Sequence, residues 1–176
     1  MGLVIRNAVE ADIPAIAAIY AAEVRDFVNT YEYDPPDEAE MLQRMRGVLA
    51  DGYPWLSAEL DGQLAGYAYA GAFRSRDAYR WVVENSVYVA AGRQGHGIGS
   101  ALLAKLIAEC EARDFRQMIA VIGEATNTAS IKLHERFGFR HLATMPGIAW
   151  KHGRWLDTVF MQRGLGEGNR AAPSVG

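Results

Sequence analysis

Arg93-Gln94-Gly95-His96-Gly97-Ile98-Gly99-Ser100 stands between two segments of different period. Before it, Ser86-Val87-Tyr88-Val89 is a β-branched and aromatic run that reads as a strand. After it, Leu102, Leu103, Leu106, Ile107 and Cys110 continue from Ile98 at helical spacing. The unit is strand, glycine-rich turn, amphipathic helix. Three glycines at alternate positions let the backbone take unusual dihedrals and come close to a ligand. The N–H groups of the turn and of the first helical turn have no helical partner. They point outward with the positive end of the helix dipole, so a phosphate or pyrophosphate is the natural guest.

Three such loops differ in their residues. A P-loop needs Gly-Lys-Ser/Thr, and none follows here. The dinucleotide fingerprint Gly-x-Gly-x-x-Gly meets Ser100 in place of its third glycine when started at Gly95, and Leu102 when started at Gly97. What remains is Gln-x-x-Gly-x-Gly, filled by Gln94, Gly97 and Gly99. A glycine-rich helix entry with no ligand is the other reading of this stretch alone.

The bulk numbers narrow the class. At 176 residues the chain suits one domain, and 50% hydrophobic with 22% charged residues suits a soluble globular one. A net charge of -3 argues against a broad nucleic-acid surface. Cys110 is the only cysteine, on the apolar helix face, so a disulfide framework and a cysteine-based metal site are excluded. His96 and His152 show no spacing with carboxylates that suggests a metal. Met1-Gly2-Leu3-Val4-Ile5-Arg6 soon turns polar, and no apolar run approaches a membrane span, so the expectation is a cytoplasmic protein without a signal peptide or membrane segment.

Taken in order, the sequence predicts a strand at Leu3–Arg6 and a helix starting at Glu10 and Asp12, with Ile13, Ile16, Ala17 and Tyr20 on one face. A loop from Phe27 to Pro36 precedes Asp37, which caps a second helix carrying Met41, Leu42, Met45 and Leu49. Strands at Tyr53–Leu60 and Gln63–Tyr69 meet at the hairpin signal Asp61-Gly62. Gly71–Arg80 reads as irregular, then Trp81–Val89 enters the glycine loop, and the helix after it runs to about Arg113. Gln117–Ile122 is apolar nearly throughout, as a strand covered on both faces is. A short helix Asn127–Phe137 closes on Gly138, and strands Arg140–Ala149 and Trp155–Arg163 join around Lys151-His152-Gly153-Arg154. This is a mixed α/β order in one domain, residues 1–163. Residues 164–176 read as a disordered tail.

Both the glycine pattern and this element order resemble the Gcn5-related N-acetyltransferase superfamily, over roughly Leu3–Arg163. Within it, Phe73-Arg74-Ser75-Arg76-Asp77-Ala78-Tyr79-Arg80-Trp81, Val83-Glu84-Asn85-Ser86-Val87-Tyr88-Val89 and Lys151-His152-Gly153-Arg154-Trp155-Leu156-Asp157 resemble the phosphinothricin and methionine-sulfoximine acetyltransferases. The resemblance implies a central, mostly antiparallel sheet flanked by helices, acetyl-CoA as co-substrate, no metal, and a homodimer. It also implies a small amino acid analogue as acceptor.

The site residues follow from that chemistry. An ammonium cannot attack until a base takes its proton. Glu84, on the strand leading into the loop and set among Trp81, Val82, Val83 and Val87, is the candidate, with partial desolvation raising its pKa. From position alone it also reads as an edge glutamate facing solvent. The resemblance gives cofactor contacts to Val87, Tyr88 and Val89 through their backbone, to Gln94, Gly95, His96, Gly97, Ile98, Gly99 and Ser100, and to Asn127. Asn127 also suits a helix cap. His134, seven residues beyond Asn127, stands where the superfamily often has a tyrosine that protonates the leaving thiolate. It reads equally as a helix histidine packed on Phe137. Arg74 and Arg76 offer guanidinium forks to an acceptor carboxylate, and Ser75, Asn85, Ser86 and Tyr31 offer hydrogen bonds.

Competing functions are acetyl transfer to a polyamine, an aminoglycoside or a protein N-terminus, a non-catalytic acyl-CoA sensor, and a nucleotide-dependent oxidoreductase. Glu84 argues against the sensor; Ser100 and Leu102 argue against the oxidoreductase.

Overall fold

The computed structural model describes residues 2–173. Its elements are β1 (Leu3–Asn7), α1 (Ile13–Asp26), α2 (Glu38–Ala50), β2 (Trp55–Leu60), β3 (Gln63–Ala72), β4 (Val82–Val89), α3 (Ile98–Ala112), β5 (Gln117–Ile122), α4 (Thr128–Arg136), β6 (Arg140–Lys151) and β7 (Arg154–Gly164). A 3-10 turn at Glu10–Asp12 leads into α1. The local signals that predict these boundaries are visible in the chain. Asp37 caps α2 by accepting from Glu40 N at 2.8 Å, and Asp61 and Gly62 both take positive φ, 53° and 80°, as a tight hairpin turn demands.

Seven strands form one sheet in the order β1-β2-β3-β4-β5-β7-β6. Every pair is antiparallel except β4 and β5, whose connection crosses over through α3. One face packs on α3, with Leu102, Leu103, Leu106, Met118 and Met161 fully buried. The other packs on α1 and α2, with Ile16, Met45, Trp55 and Tyr67. Gly66 of β3 permits the close approach of α3: a Cβ there would lie 2.8 Å from Tyr88 O and 3.1 Å from Ile98 Cγ2.

The parallel pair is short. Only Val82–Asn85 pairs with Gln117–Ala120, and the rest of β4, Ser86–Val89, has no strand partner on that side among the described residues. The sheet is thus split between β4 and β5, leaving strand-edge groups of β4 free.

The strands of the last hairpin have one extra feature. β6 is the sheet edge, and Leu142, Met145, Ile148 and Trp150 on it, with Trp155 of β7, are exposed.

Residues 164–173 differ from the expected disordered tail. Leu165 is fully buried in the α3-side core, and its N–H donates to Arg116 O at 3.0 Å. One leucine directly after β7 is enough to fasten the segment, which its glycine-rich composition conceals. Residues 174–176 lie outside the described residues.

Candidate active site

The split opens into a cavity of about 430 Å³. One wall is Glu84 to Val89 of β4; the opposite wall is Ala120 to Gly123 at the end of β5, with Asn127, Ser130, Leu133 and His134 from α4. Gln94 and Gly99 border it on the glycine-loop side, and Glu23, Asn29, Thr30 and Tyr31 close it from α1 and the loop after it.

Glu84 projects with Ser86 and Tyr88 toward the α1 and α2 side, since strand residues alternate. Its cross-strand neighbour is Gly71, which has no side chain to cover it. Among the described residues no donor hydrogen-bonds its carboxylate. Burial alone raises its pKa above the ordinary carboxylate value. A half-buried carboxylate without a donor is a better base than a solvated one.

The glycine loop is built to expose backbone N–H groups. Gly95 and Gly97 take φ of 82° and 76°, and Gly97 caps α3 without any side-chain bond. Gln94 Oε1 accepts from Gly92 N at 2.9 Å, so this side chain shapes the loop itself. His96 Nδ1 lies 3.2 Å from Arg93 O and 3.1 Å from Gln94 O. Ile98 is 1% exposed, a core residue whose contribution to a ligand is its main chain. Gly95, His96, Gly97 and Ser100 stand around the loop rather than in the cavity wall.

His134 is buried against Phe139, and both ring nitrogens are engaged. Nδ1 is 2.8 Å from Ser130 O, and Nε2 is 3.0 Å from Asn85 Oδ1. The Asn85 amide is oriented by Nδ2 donating to Ile119 O at 3.0 Å. Both partners of the imidazole are therefore acceptors. A protonated ring satisfies both; a neutral ring satisfies one. Burial opposes the charge and lowers the pKa. Asn85 thus ties β5 to His134 while it lines the cavity.

The α1–α2 loop is fastened at several points. Tyr31 Oη donates to Gly123 O at 3.0 Å and hydrogen-bonds Thr158 Oγ1. Val28 O presses on Gly123, where a Cβ would come within 2.3 Å, so only glycine fits. Lys151, fully buried, donates from Nζ to Thr30 O at 2.7 Å. Burial lowers its pKa, against the fields of Glu23 and Glu32. Glu23, Asn29, Thr30 and Lys151 escaped the sequence reading. Glu23 alone carried a signal, since it stands in helical register with Ile16 and Tyr20 on the apolar face.

Arg74, Ser75 and Arg76 are exposed and are not brought into the cavity wall. The Arg74 guanidinium sits 5.1 Å over the Phe73 ring, and Phe73 meets Tyr79 edge-on at 5.9 Å. These aromatic contacts hold the segment on the surface beyond the Gly71–Glu84 pair. Neither arginine is paired with a carboxylate among the described residues.

Cys110 is fully buried and its thiol is pushed up to about 12, so it is unreactive. Among the described residues no group of three or more histidine, cysteine or carboxylate side chains is placed to hold a metal, and no helix is long and apolar enough to cross a membrane.

Comparison with known proteins adds to the geometry. The phosphinothricin N-acetyltransferase of Alcaligenes faecalis is 48% identical over 162 residues, covering 92% of this chain and 82% of that protein. The L-methionine sulfoximine/L-methionine sulfone acetyltransferase of Salmonella typhimurium is 41% identical over 98% of this chain and 99% of its own. The crystal structure of a phosphinothricin acetyltransferase from Sinorhizobium meliloti in complex with acetyl-CoA superposes with a TM-score of 0.97 at 49% identity, over 100% of this chain and 95% of that one. The family model for the Acetyltransferase (GNAT) family matches residues 16–139. Split sheet, glycine loop and these relatives agree: the chain belongs to the GNAT acetyltransferase family, in its phosphinothricin and methionine-sulfoximine acetyltransferase group.

Proposed function

We propose that this chain transfers the acetyl group of acetyl-CoA to the α-amine of a small amino acid analogue of the phosphinothricin, methionine sulfoximine or methionine sulfone type. The observation that carries the reading is Glu84: a half-buried carboxylate without a donor, facing the gap where β4 and β5 part. The pantetheine arm takes the free edge of Ser86–Val89, adding to β4 as an extended segment does. The pyrophosphate takes the N–H groups of the loop 94–100.

Glu84 removes one proton from the acceptor ammonium. The freed lone pair attacks the thioester carbon, and the carbonyl π pair moves to oxygen, where a β4 backbone N–H receives the charge. The oxyanion collapses, the C–S bond breaks with its electrons on sulfur, and the nitrogen gives its second proton to solvent. The thiolate takes its proton from Nε2 of the imidazolium form of His134, which exchanges its bond to Asn85 Oδ1 for one to sulfur, and the neutral ring left behind regains a proton from solvent. The acceptor carboxylate extends out of the cavity toward Arg74 and Arg76, whose guanidinium groups have no carboxylate of their own among the described residues. Two copies of the chain pair through the exposed apolar strip of β6 and β7.

Thiol release from acetyl-CoA with a panel of amines tests the reading. Phosphinothricin, methionine sulfoximine and methionine sulfone should support release well above background. Release with none of them, or no acetyl-CoA binding, overturns it.

A further inference from the structure

Glu23 is a carboxylate at a position where the period of α1 calls for an apolar side chain. It shares the buried face with Ile16, Ile19 and Tyr20 and is only 9% exposed. Burying a carboxylate is costly unless something partners it. Its Oε2 accepts from Asn29 Nδ2 at 2.6 Å; among the described residues no donor reaches Oε1. The residue lines the same cavity as Glu84.

The bond to Asn29 belongs to a chain with one direction. Ser130 N donates to Asn127 Oδ1 at 3.1 Å, Asn127 Nδ2 donates to Asn29 Oδ1 at 2.9 Å, and Asn29 Nδ2 donates to Glu23. Every donor points toward the carboxylate, and the chain starts at the capped end of α4 on the cofactor side. Lys151 lends a positive field, yet its ammonium bonds Thr30 O rather than Glu23. One carboxylate oxygen is therefore committed and the other is left, at the cavity wall, for a cationic guest.

We propose that Glu23 is an acceptor-binding residue that receives one N–H of the substrate ammonium on Oε1, while Glu84 takes the proton that is lost. This rests on the amino acid reading of the acceptor. The two carboxylates divide the work. An ammonium has three N–H donors; Glu84 removes one, Glu23 holds another, and the nitrogen is thereby kept from rotating while its lone pair faces the thioester. Orientation of this kind is a large part of what such a site supplies. The selected class is a primary amine, since a more substituted nitrogen loses the N–H that Glu23 holds.

The test uses Glu23→Gln, whose amide oxygen still accepts from Asn29. KM for methionine sulfone should rise on the order of ten- to a hundredfold, the loss of one charge-assisted hydrogen bond. The acetyl-CoA Kd should hold. So should the inhibition constant of the α-hydroxy analogue, which lacks the amine. An unchanged KM overturns the proposal, and so does equal weakening of amino acid and hydroxy acid, which marks a role in cavity shape only. If the variant does not fold, a co-crystal of the wild type with CoA and methionine sulfone decides: the amine nitrogen should lie within about 3.2 Å of Glu23, and a nitrogen elsewhere overturns the assignment. A wild type that acetylates no α-amino acid overturns the underlying reading and Glu23 with it. A wild type that does, beside a variant of unchanged KM, overturns Glu23 alone.

Discussion

Replacing Glu84 with glutamine should make the protein slower and more stable at once. The amide cannot take a proton, and loss of a positioned general base costs on the order of 10²-fold or more in kcat. That is about 2.7 kcal/mol of transition-state stabilisation. Stability moves the other way. Burial lifts the pKa of Glu84 in the folded chain above its unfolded value, and no donor offsets it. A carboxyl with a raised folded pKa contributes stability below the unfolded pKa and loses it as pH rises through the folded pKa. At neutral pH the wild type therefore bears the cost of an ionised, half-buried carboxylate, at about 1.4 kcal/mol for each pKa unit of elevation. Glu84→Gln removes that cost. For a chain of this length each kcal/mol shifts Tm by roughly 2–4 °C. Thermal melts at pH 8 should place the variant above the wild type, and melts well below the unfolded carboxylate pKa should show little difference. Thiol-release assays across the same range should give a wild-type kcat/KM that falls on the acid side, with a midpoint above the ordinary glutamate value. A variant with full kcat would refute Glu84 as the base, and one that melts below the wild type at pH 8 would mean that the carboxylate is ionised for a structural partner.

Gly99→Ala should weaken acetyl-CoA binding by about tenfold in calorimetry, the scale of one hydrogen bond lost at the anion site. A Cβ at Gly99 would stand 3.4 Å from Leu133 Cδ2 and 3.7 Å from Val89 Cγ2, so the domain should stay folded. Arg74→Ala should raise KM for an amino acid acceptor more than for its methyl ester; equal effects would remove the arginine from carboxylate recognition. Light scattering at micromolar concentration should report a dimer, and Trp155→Glu, at a side chain 63% exposed in the single chain, should shift it to monomer. A monomeric wild type contradicts the pairing.

The legible parts of this molecule are those whose chemistry is local. A turn that needs positive φ shows its glycine or aspartate, as Asp61-Gly62 and Gly97 do. A helix that needs a cap shows Asp37 or Asn127. The split of the sheet was not legible, because nothing in Val82–Val89 says where pairing with the next strand ends. The cavity wall formed by α1 and the loop after it was legible only at Tyr31. Lys151 reads as a hairpin residue, yet 121 positions separate it from Thr30, whose carbonyl it holds. Arg74 and Arg76 show the converse. Their residue type suited the acceptor, but Arg74 sits over the Phe73 ring and neither arginine is in the cavity wall. Leu165 was lost in a glycine-rich context that composition alone reads as disordered.

The central claim is acetyl transfer to the α-amine of a small amino acid, and a direct competition tests it. Purified protein and limiting acetyl-CoA meet methionine sulfone, its decarboxylated amine and a short peptide with a free N-terminus at equal concentration, and NMR identifies the acetylated product. The acetyl group should accumulate on the α-nitrogen of methionine sulfone. Acetyl appearing chiefly on the decarboxylated amine or on the peptide would contradict it.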